Sequence, residues 1–278
     1  MRKKVLITVV TYPLPSRSYD ELVCTAGILE DGSWIRIYPV RFKFLTDTKA
    51  AGGFESYKYT WIELDLKKRT DDFRPESHSP VRYDFSDLKV IDKIPPKRGW
   101  AARKDICLQH VYTNLEELIS DSKAPRNISL ASFKPAKITG FKVKEDDREW
   151  KKEWQDQLQQ LSLDFGSEET SKKREIIQKL PYKFYYSFED DSGKSSTLMI
   201  EDWEIGQLYW NCLRDAKGDE EQALEKVRQK YWNEFVQGDK DIYLFLGTTK
   251  KAHFRRFTNP FVIIGVFYPP KVSQGSLF

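Results

Sequence analysis

The first third of the chain alternates apolar and polar side chains in short runs, which is the pattern of half-buried β-strands. The segment Glu30-Asp31-Gly32-Ser33 separates two of these runs, and Asp-Gly between apolar runs is a strong hairpin signal. The predicted strands cover residues 4–11, 20–29, 34–42 and 57–66. This succession predicts a β-meander that closes into a small barrel or curled sheet, of which the oligonucleotide-binding barrel is one form.

Apolar residues further along the chain recur at helical spacing. Trp150, Trp154, Leu158 and Leu161 lie in a highly charged run and predict an amphipathic helix with one buried stripe. Beyond a segment rich in Ser, Glu and Lys, the pattern predicts a ββααββ unit. Its strands and helices are predicted at 182–189, 196–201, 203–215, 219–236, 241–248 and 261–268.

These elements predict an α+β protein of two domains, because the chain is longer than a usual single domain. The N-terminal domain is mainly β and barrel-like, with the amphipathic helix at its end. A linker, the ββααββ domain and a flexible C-terminal tail follow it. The four predicted parts are residues 1–163, 164–180, 181–270 and 271–278.

Composition narrows the class of protein. With 40% hydrophobic and 32% charged residues, the 278-residue chain has the composition of a soluble globular protein. No apolar stretch approaches the roughly 18 residues of a membrane span. Cys24, Cys107 and Cys212 are few, odd in number and far apart, which fits reduced thiols better than a disulfide framework. We therefore expect a cytoplasmic protein with no membrane partner.

Charge is segregated along the chain, although the formal net charge is only +4. Residues 1–19, 32–46 and 242–278 contain basic side chains and no acidic one. If these blocks meet in the fold, they form a positive face suited to a polyanion, because neutralising phosphates releases counterions.

Aromatic and basic side chains are interleaved in the strand that begins at Trp34. Successive side chains of a strand point to opposite faces, so Trp34, Arg36 and Tyr38 share one face while Ile35 and Ile37 can enter a core. Aromatic rings stack on bases of any sequence, and arginine pairs with phosphate. This face is therefore a candidate nucleic-acid surface. The alternative is a strand buried on both sides with Arg36 extended to an edge.

The loop 249–260 between the last two strands has the composition of a phosphate-binding loop. It contains four fixed positive charges and no acid, whereas a merely solvated loop usually contains acids as well. The alternative is a loop whose charges only maintain solubility. The predicted nucleic-acid-binding residues are Arg17, Trp34, Arg36, Tyr38, Arg41, Lys43, Lys250, Lys251, His253, Arg255 and Arg256.

An enzymatic alternative rests on Glu63, Asp65 and Lys67, which fall on one face of a strand. Two carboxylates could hold Mg²⁺ while a lysine orients water, as in a metal-dependent nuclease. A solvated strand face is the competing interpretation, since such spacings recur in a highly charged chain. Without that activity no metal or cofactor is predicted. The sequence also lacks a Walker loop and a dinucleotide-binding glycine turn, which disfavours nucleotide hydrolysis.

The C-terminal peptide Gln274-Gly275-Ser276-Leu277-Phe278 resembles the clamp-binding peptide of bacterial replication and repair proteins. In that peptide Gln274 would anchor one end while Leu277 and Phe278 enter an apolar pocket. Gly275 departs from the usual leucine and weakens the anchor. A sliding-clamp partner would imply DNA rather than RNA. The alternative is an ordinary frayed apolar tail.

Three motifs resemble an uncharacterised prokaryotic family and imply no activity: residues 34–39, Asp202-Trp203-Glu204 and residues 265–269. We expect a nucleic-acid-binding protein, directed to DNA and serving repair, base modification or defence. A metal-dependent nuclease or other nucleic-acid-modifying enzyme is one alternative. A protein-interaction adaptor that acts through its C-terminal peptide is another.

Overall fold

A computed structural model describes residues 1–12, 14–15, 21–41, 57–150, 152 and 178–271. The predicted helix through Trp154, Leu158 and Leu161 lies outside these residues, as do most of the predicted linker and the tail beyond Lys271. Strands are numbered β1–β14 and helices α1–α5 in chain order.

Seven strands precede the first helix. They are β1 (Arg2–Val10), β2 (Leu14–Pro15), β3 (Glu21–Leu29), β4 (Trp34–Arg41), β5 (Thr60–Lys68), β6 (Ser77–Pro80) and β7 (Lys89–Lys93).

Helices and seven further strands follow a short 3₁₀ turn at Arg98–Trp100. They are α1 (Ala101–Cys107), β8 (Val111–Tyr112), α2 (Leu115–Asp121), β9 (Leu130–Phe133), β10 (Lys137–Glu145), β11 (Tyr182–Glu189), β12 (Ser195–Ile200), α3 (Trp203–Asp215), α4 (Glu220–Arg228) continued by a π-helical turn (Gln229–Glu234), β13 (Tyr243–Thr248), α5 (Lys250–Phe254) and β14 (Phe261–Phe267).

The first sheet closes into a five-stranded barrel. Its strand order is β1-β3-β4-β6-β5, and β5 pairs with β1 to complete the ring. Strands β4 and β6 run parallel to each other, and the other neighbouring strands of the ring run antiparallel. Alternate residues of the strands fill the interior, including Ile35, Ile37, Ile62, Leu64 and Leu66. The predicted N-terminal barrel-like sheet is therefore confirmed.

The second sheet follows the same path. Its order is β10-β11-β12-β14-β13-β9-β8, with β12 and β14 parallel. Only residues 134–136 separate β9 from β10, and β9 pairs with β13 while β10 pairs with β11. The two strands therefore act as one bent strand that joins β13 to β11, so this sheet also takes a barrel-like form, which we call the second barrel. Helices α3 and α4 are inserted in the chain between β12 and β13.

The molecule is thus a mixed protein of mostly strands with few helices. The segment predicted as a ββααββ unit does not form a sheet by itself, because β8, β9 and β10 complete it. The two sheets divide between Lys93 and Val111, inside the predicted N-terminal domain. The domain limits proposed from the sequence stay predictions.

The two barrels pack through the outer faces of their strands. Leu6, Val9 and Ile28 from the first barrel form one buried cluster with Phe245 and Phe267 from the second. β1 is therefore buried on both faces over most of its length. Within the described residues, no helix combines the length and the apolar character needed to cross a membrane.

A glycine and a buried ion pair allow this close approach. A Cβ atom at Gly265 would lie 3.2 Å from Cγ2 of Val9, so glycine permits β14 to pass next to β1. Lys58 of the first barrel extends its ammonium group to Asp202 at 3.0 Å and to Glu204 at 2.7 Å. The carboxylate of Asp202 also accepts the backbone N–H of Glu204 as the N-cap of α3.

Candidate nucleic-acid interface

In each barrel one loop joins the fourth and fifth strands in chain order, and these two loops meet. In the first barrel the loop joins β5 to β6, and in the second it joins β13 to β14. These loops are residues 69–76 in the first barrel and 249–260 in the second. Lys250 Nζ donates to the carbonyl oxygen of Asp71 at 2.6 Å, and Arg74 Nη1 donates to that of Thr248 at 2.8 Å. We call the exposed face of both loops, together with the turn 122–127, the paired-loop surface.

A buried ion pair shapes the loop 69–76. The guanidinium group of Arg74 contacts Asp72 at 2.6 Å, and the Ser77 hydroxyl donates to the same carboxylate at 2.8 Å. Burial alone would raise the pKa of Asp72, but the hydrogen bonds and positive charge of Arg74 hold it well below its usual range. Asp72 is therefore ionised at neutral pH and fixes the position of Arg74.

A short capped helix shapes the loop 249–260. The Thr249 hydroxyl accepts the backbone N–H of Ala252 at the start of α5. At its end Arg256 has a φ of 52°, and the backbone N–H groups of Arg256 and Phe257 donate to the carbonyl oxygens of His253 and Ala252. This is a Schellman cap with arginine where glycine is usual.

His253 is buried beneath α5 and does not belong to the exposed surface. Its Nε2 donates to the carbonyl oxygen of Ser122, so Nδ1 accepts from the Thr248 hydroxyl at 3.0 Å. Burial lowers the pKa of His253, which favours this neutral form. His253 therefore ties α5 to the turn 122–127, in contrast to the nucleic-acid contact predicted for it.

Exposed aromatic and basic side chains lie together on the paired-loop surface. Phe73, Phe254 and Phe257 are 43%, 75% and 52% exposed, and they are the exposed phenylalanines of the described part of the chain. All three line a 470 Å³ cavity with Lys123 and Arg256. An open cavity walled by rings and cations is suited to a ligand that has both flat faces and phosphates.

The four fixed cations predicted in the loop 249–260 are exposed. Lys250, Lys251, Arg255 and Arg256 all reach solvent. Lys250 lies 3.9 Å from the Asp71 carboxylate, whereas the other three form no ion pair with any described residue. Their charges are therefore available to an anionic ligand.

The predicted face of β4 is largely covered by the second barrel. Arg36 is 5% exposed, and its guanidinium group donates to the carbonyl and hydroxyl oxygens of Ser129 at 3.2 Å. Trp34 is half-buried and meets Phe245 edge to face, with ring centroids 5.2 Å apart. Arg36 thus joins the barrels and is not available to a phosphate in this arrangement.

Tyr38 lies next to the paired-loop surface. The guanidinium group of Arg69 is 5.1 Å from the centre of its ring and donates to its carbonyl oxygen at 3.2 Å. Burial raises the pKa of the Tyr38 hydroxyl. Of the other predicted contacts, Arg17 and Lys43 lie outside the described residues, as does the side chain of Arg41.

The acidic candidates lie elsewhere, on the outer face of β5. Arg2 is 3.7 Å from the Glu63 carboxylate and 3.8 Å from that of Asp65. A guanidinium group therefore occupies the place that a metal ion would need, and Lys67 is exposed nearby. No group of three or more potential ligands is arranged for a metal in the part of the chain that the structure describes.

Two contributors to the site were absent from the sequence-based set. Phe73 lies in the segment Asp71-Asp72-Phe73-Arg74, which contains two acidic residues and therefore does not belong to an acid-free basic block. Lys123 lies in a turn more than 120 residues before α5. The only local sequence feature that indicates a binding role for Phe73 is its aromatic ring between charged residues. No local sequence feature indicates such a role for Lys123.

The strand path is that of the oligonucleotide-binding barrel, a Greek-key barrel whose loop between strands four and five contributes to ligand binding. Two family models match the chain. DUF8757, a domain of unknown function, matches residues 110–278, and DUF8758, also a domain of unknown function, matches residues 1–109. No curated protein matches the sequence.

Two solved structures are similar to the chain at low identity. One is the crystal structure of the tetrameric p202 HIN2, at 8% identity and a TM-score of 0.29, covering 75% of this chain and 73% of that chain. The other is a murine DNA binding protein bound with ds DNA, at 10% identity and a TM-score of 0.31, covering 98% of this chain and 97% of that chain. At these scores neither similarity bears on function.

Proposed function

We propose that this chain, which belongs to the DUF8757 family, binds single-stranded nucleic acid on its paired-loop surface. The observation that carries the proposal is the meeting of two equivalent barrel loops, 69–76 and 249–260, with all the exposed phenylalanines of the described residues around them. In barrels of this topology the same loop contributes to oligonucleotide binding.

The basic side chains of this surface bind phosphates, and its aromatic side chains bind bases. Lys251, Arg255 and Arg256 attract phosphates, and each neutralised phosphate releases counterions. Phe254 and Phe257 offer rings on which bases stack, each stack contributing about 1–3 kcal/mol. Bases in a duplex already stack on one another, so these rings favour a single strand.

DNA is the nucleic acid that we propose, in a setting of repair, base modification or defence. Its support is the resemblance of residues 274–278 to a clamp-binding peptide, which lies outside the described residues. A sliding clamp as a second partner rests on Gln274, Leu277 and Phe278 alone. Deleting residues 274–278 should abolish clamp binding and leave oligonucleotide binding unchanged. Unchanged clamp binding would reject that partner.

We do not extend the proposal to catalysis. The nuclease alternative depended on Glu63 and Asp65, and Arg2 lies between their carboxylates. The binding experiment includes Mg²⁺ as a variable, so cleavage of the labelled strand would be detected directly.

The test is titration of labelled single-stranded and duplex DNA and RNA at two salt concentrations, with and without Mg²⁺. Single-stranded DNA should bind most tightly, and binding should weaken as salt increases. The variant Phe254→Ser/Phe257→Ser should lose at least about tenfold in affinity for the single strand, because two stacking rings are removed.

The matched control is Ile91→Ser, since Ile91 is 46% exposed on β7 of the first sheet. Its affinity should equal that of the wild type. Equal affinity of Phe254→Ser/Phe257→Ser and wild type, or binding that ignores salt, would reject the proposed surface.

A further inference from the structure

A second cavity of 890 Å³ lies between the barrels, on the other side of the turn 122–127 from the cavity that Phe254 and Phe257 line. We call it the inter-barrel groove. Trp34 and His78 contribute to it from the first barrel, and Glu117 and Asp121 from the second. Arg126 and Ile128 line this groove, whereas Lys123 and Asn127 line the paired-loop cavity. One segment of chain therefore forms a wall of both spaces.

Trp34 gives the groove an aromatic wall of fixed orientation. Its ring packs edge to face on Phe245, at an interplanar angle of 73°. Because Phe245 is buried, this contact holds the indole in place, while Trp34 itself is only half-buried and lines the groove. A ring held in this way can stack on a planar ligand without first becoming ordered.

Glu117, Asp121 and His78 supply the groove with hydrogen-bond acceptors, beside the guanidinium group of Arg126 and the side chains of Gln109 and His110. Glu117 is exposed, and Asp121 is already paired with Arg126 and the Tyr112 hydroxyl. His78 Nδ1 lies 2.9 Å from the carbonyl oxygen of Glu76, to which it must donate. Burial lowers the pKa of His78, so at neutral pH its Nε2 is an acceptor. Carboxylates repel phosphate and accept amino N–H groups.

We propose that the inter-barrel groove receives an unpaired base bearing an exocyclic amino group, from the strand whose phosphates occupy the paired-loop surface. The base stacks on Trp34, and its amino group donates to Glu117. This inference rests on the proposed function and adds base selectivity to it. A basic peptide would also suit the carboxylates, but the shared wall with a cationic surface favours a ligand that is anionic on one side and planar on the other.

The test compares oligo-dC with oligo-dT, which differ in the exocyclic amino group. Wild-type protein should prefer oligo-dC by about tenfold, the effect expected of a hydrogen bond to a charged group. Glu117→Ala should remove most of this preference and leave the affinity for oligo-dT unchanged. Glu116→Ala, on the same helix and outside the groove, should keep the preference.

Trp34 tests the stacking separately. Trp34→Leu should weaken binding of both oligonucleotides about tenfold, and Trp34→Phe, which keeps a ring, should restore most of it. If Trp34→Leu lowers the melting temperature strongly, its binding result is set aside. Trp34→Phe and Glu117→Ala then test the groove. Equal affinity for oligo-dC and oligo-dT, unaffected by Glu117→Ala, would overturn the groove alone. Failure of the wild type to bind either would overturn the proposed function with it.

Discussion

Arg256 has the left-handed backbone conformation at the end of α5, a position that helices usually give to glycine. A side chain in this conformation costs roughly 1–2 kcal/mol. Arg256 lines the cavity that Phe254 and Phe257 also line. The strained backbone of Arg256 and its place in this cavity together lead us to expect a binding role for it.

The variant Arg256→Gly should therefore be more stable and bind less well. We expect its free energy of unfolding to rise by about 0.5–1 kcal/mol, since glycine relieves the strain but loses more backbone entropy. Its affinity for single-stranded oligonucleotide should fall roughly fivefold, or about 1 kcal/mol. Denaturant unfolding and fluorescence anisotropy measure the two effects.

Lys217 provides the matched control because it is exposed after α3 with a φ of 53°. Lys217→Gly should gain similar stability without any change in affinity. Wild-type affinity in Arg256→Gly would show that the strained arginine does not contact the ligand.

Arg36 shows what a single strand cannot predict. Alternation along β4 correctly separates Ile35 and Ile37, which are buried in the barrel, from the face shared by Trp34, Arg36 and Tyr38. The alternation does not indicate which part of the chain covers the face of Trp34, Arg36 and Tyr38. Ser129, the partner of Arg36, is 93 residues away in the chain.

At the scale of elements, the loop 69–76 owes its position to the Asp72–Arg74 pair and to the Arg74 hydrogen bond with Thr248. Both side chains of the pair are almost fully buried. Removing one partner of a buried pair leaves an uncompensated charge, which costs more than the pair itself contributes.

Arg74→Met should lower the free energy of unfolding by about 3 kcal/mol, because it leaves the Asp72 carboxylate unpaired. Asp72→Asn/Arg74→Met should lose less, because no buried charge remains. The contribution of the pair is complete above the unfolded-state pKa of about 4 and disappears as the pH falls toward the lower folded-state pKa of Asp72. Denaturant unfolding at pH 7 and pH 3 measures this. An unchanged unfolding midpoint at pH 7 would contradict this role.

Local sequence patterns predict the positions of many strands and helices. They do not predict which distant strands pair. The hairpin of β3 and β4 follows from the turn at residues 30–33. The parallel pairs β4–β6 and β12–β14 join segments that share no turn, so no local pattern specifies them. The membership of β8, β9 and β10 in the second sheet has the same cause. The loop 249–260 could be selected from its composition, whereas its meeting with 69–76 could not.

At the scale of the whole molecule, the packing of the barrels determines the candidate site. Glu76 accepts the backbone N–H and the hydroxyl group of Ser129, both at 2.8 Å, and Ser129 accepts from Arg36. These contacts join the end of the loop 69–76 to the second barrel. The paired-loop surface and the inter-barrel groove are therefore properties of both barrels together, and neither barrel alone contains them.

The central claim is that phosphates of a single strand bind the paired-loop surface, and the salt dependence of binding tests it most directly. The variant Lys251→Gln/Arg255→Gln/Arg256→Gln removes three of its cations. A control, Lys137→Gln/Lys142→Gln/Lys144→Gln, removes three exposed cations from β10 and changes the net charge equally.

The measurement is the slope of log affinity against log salt concentration for a labelled single-stranded oligonucleotide. The loop variant should have a slope shallower by about 2, since each phosphate contact on a single strand contributes roughly 0.7. The control should keep the slope of the wild type. A loop variant with the wild-type slope, or a control that loses as much, would contradict the account.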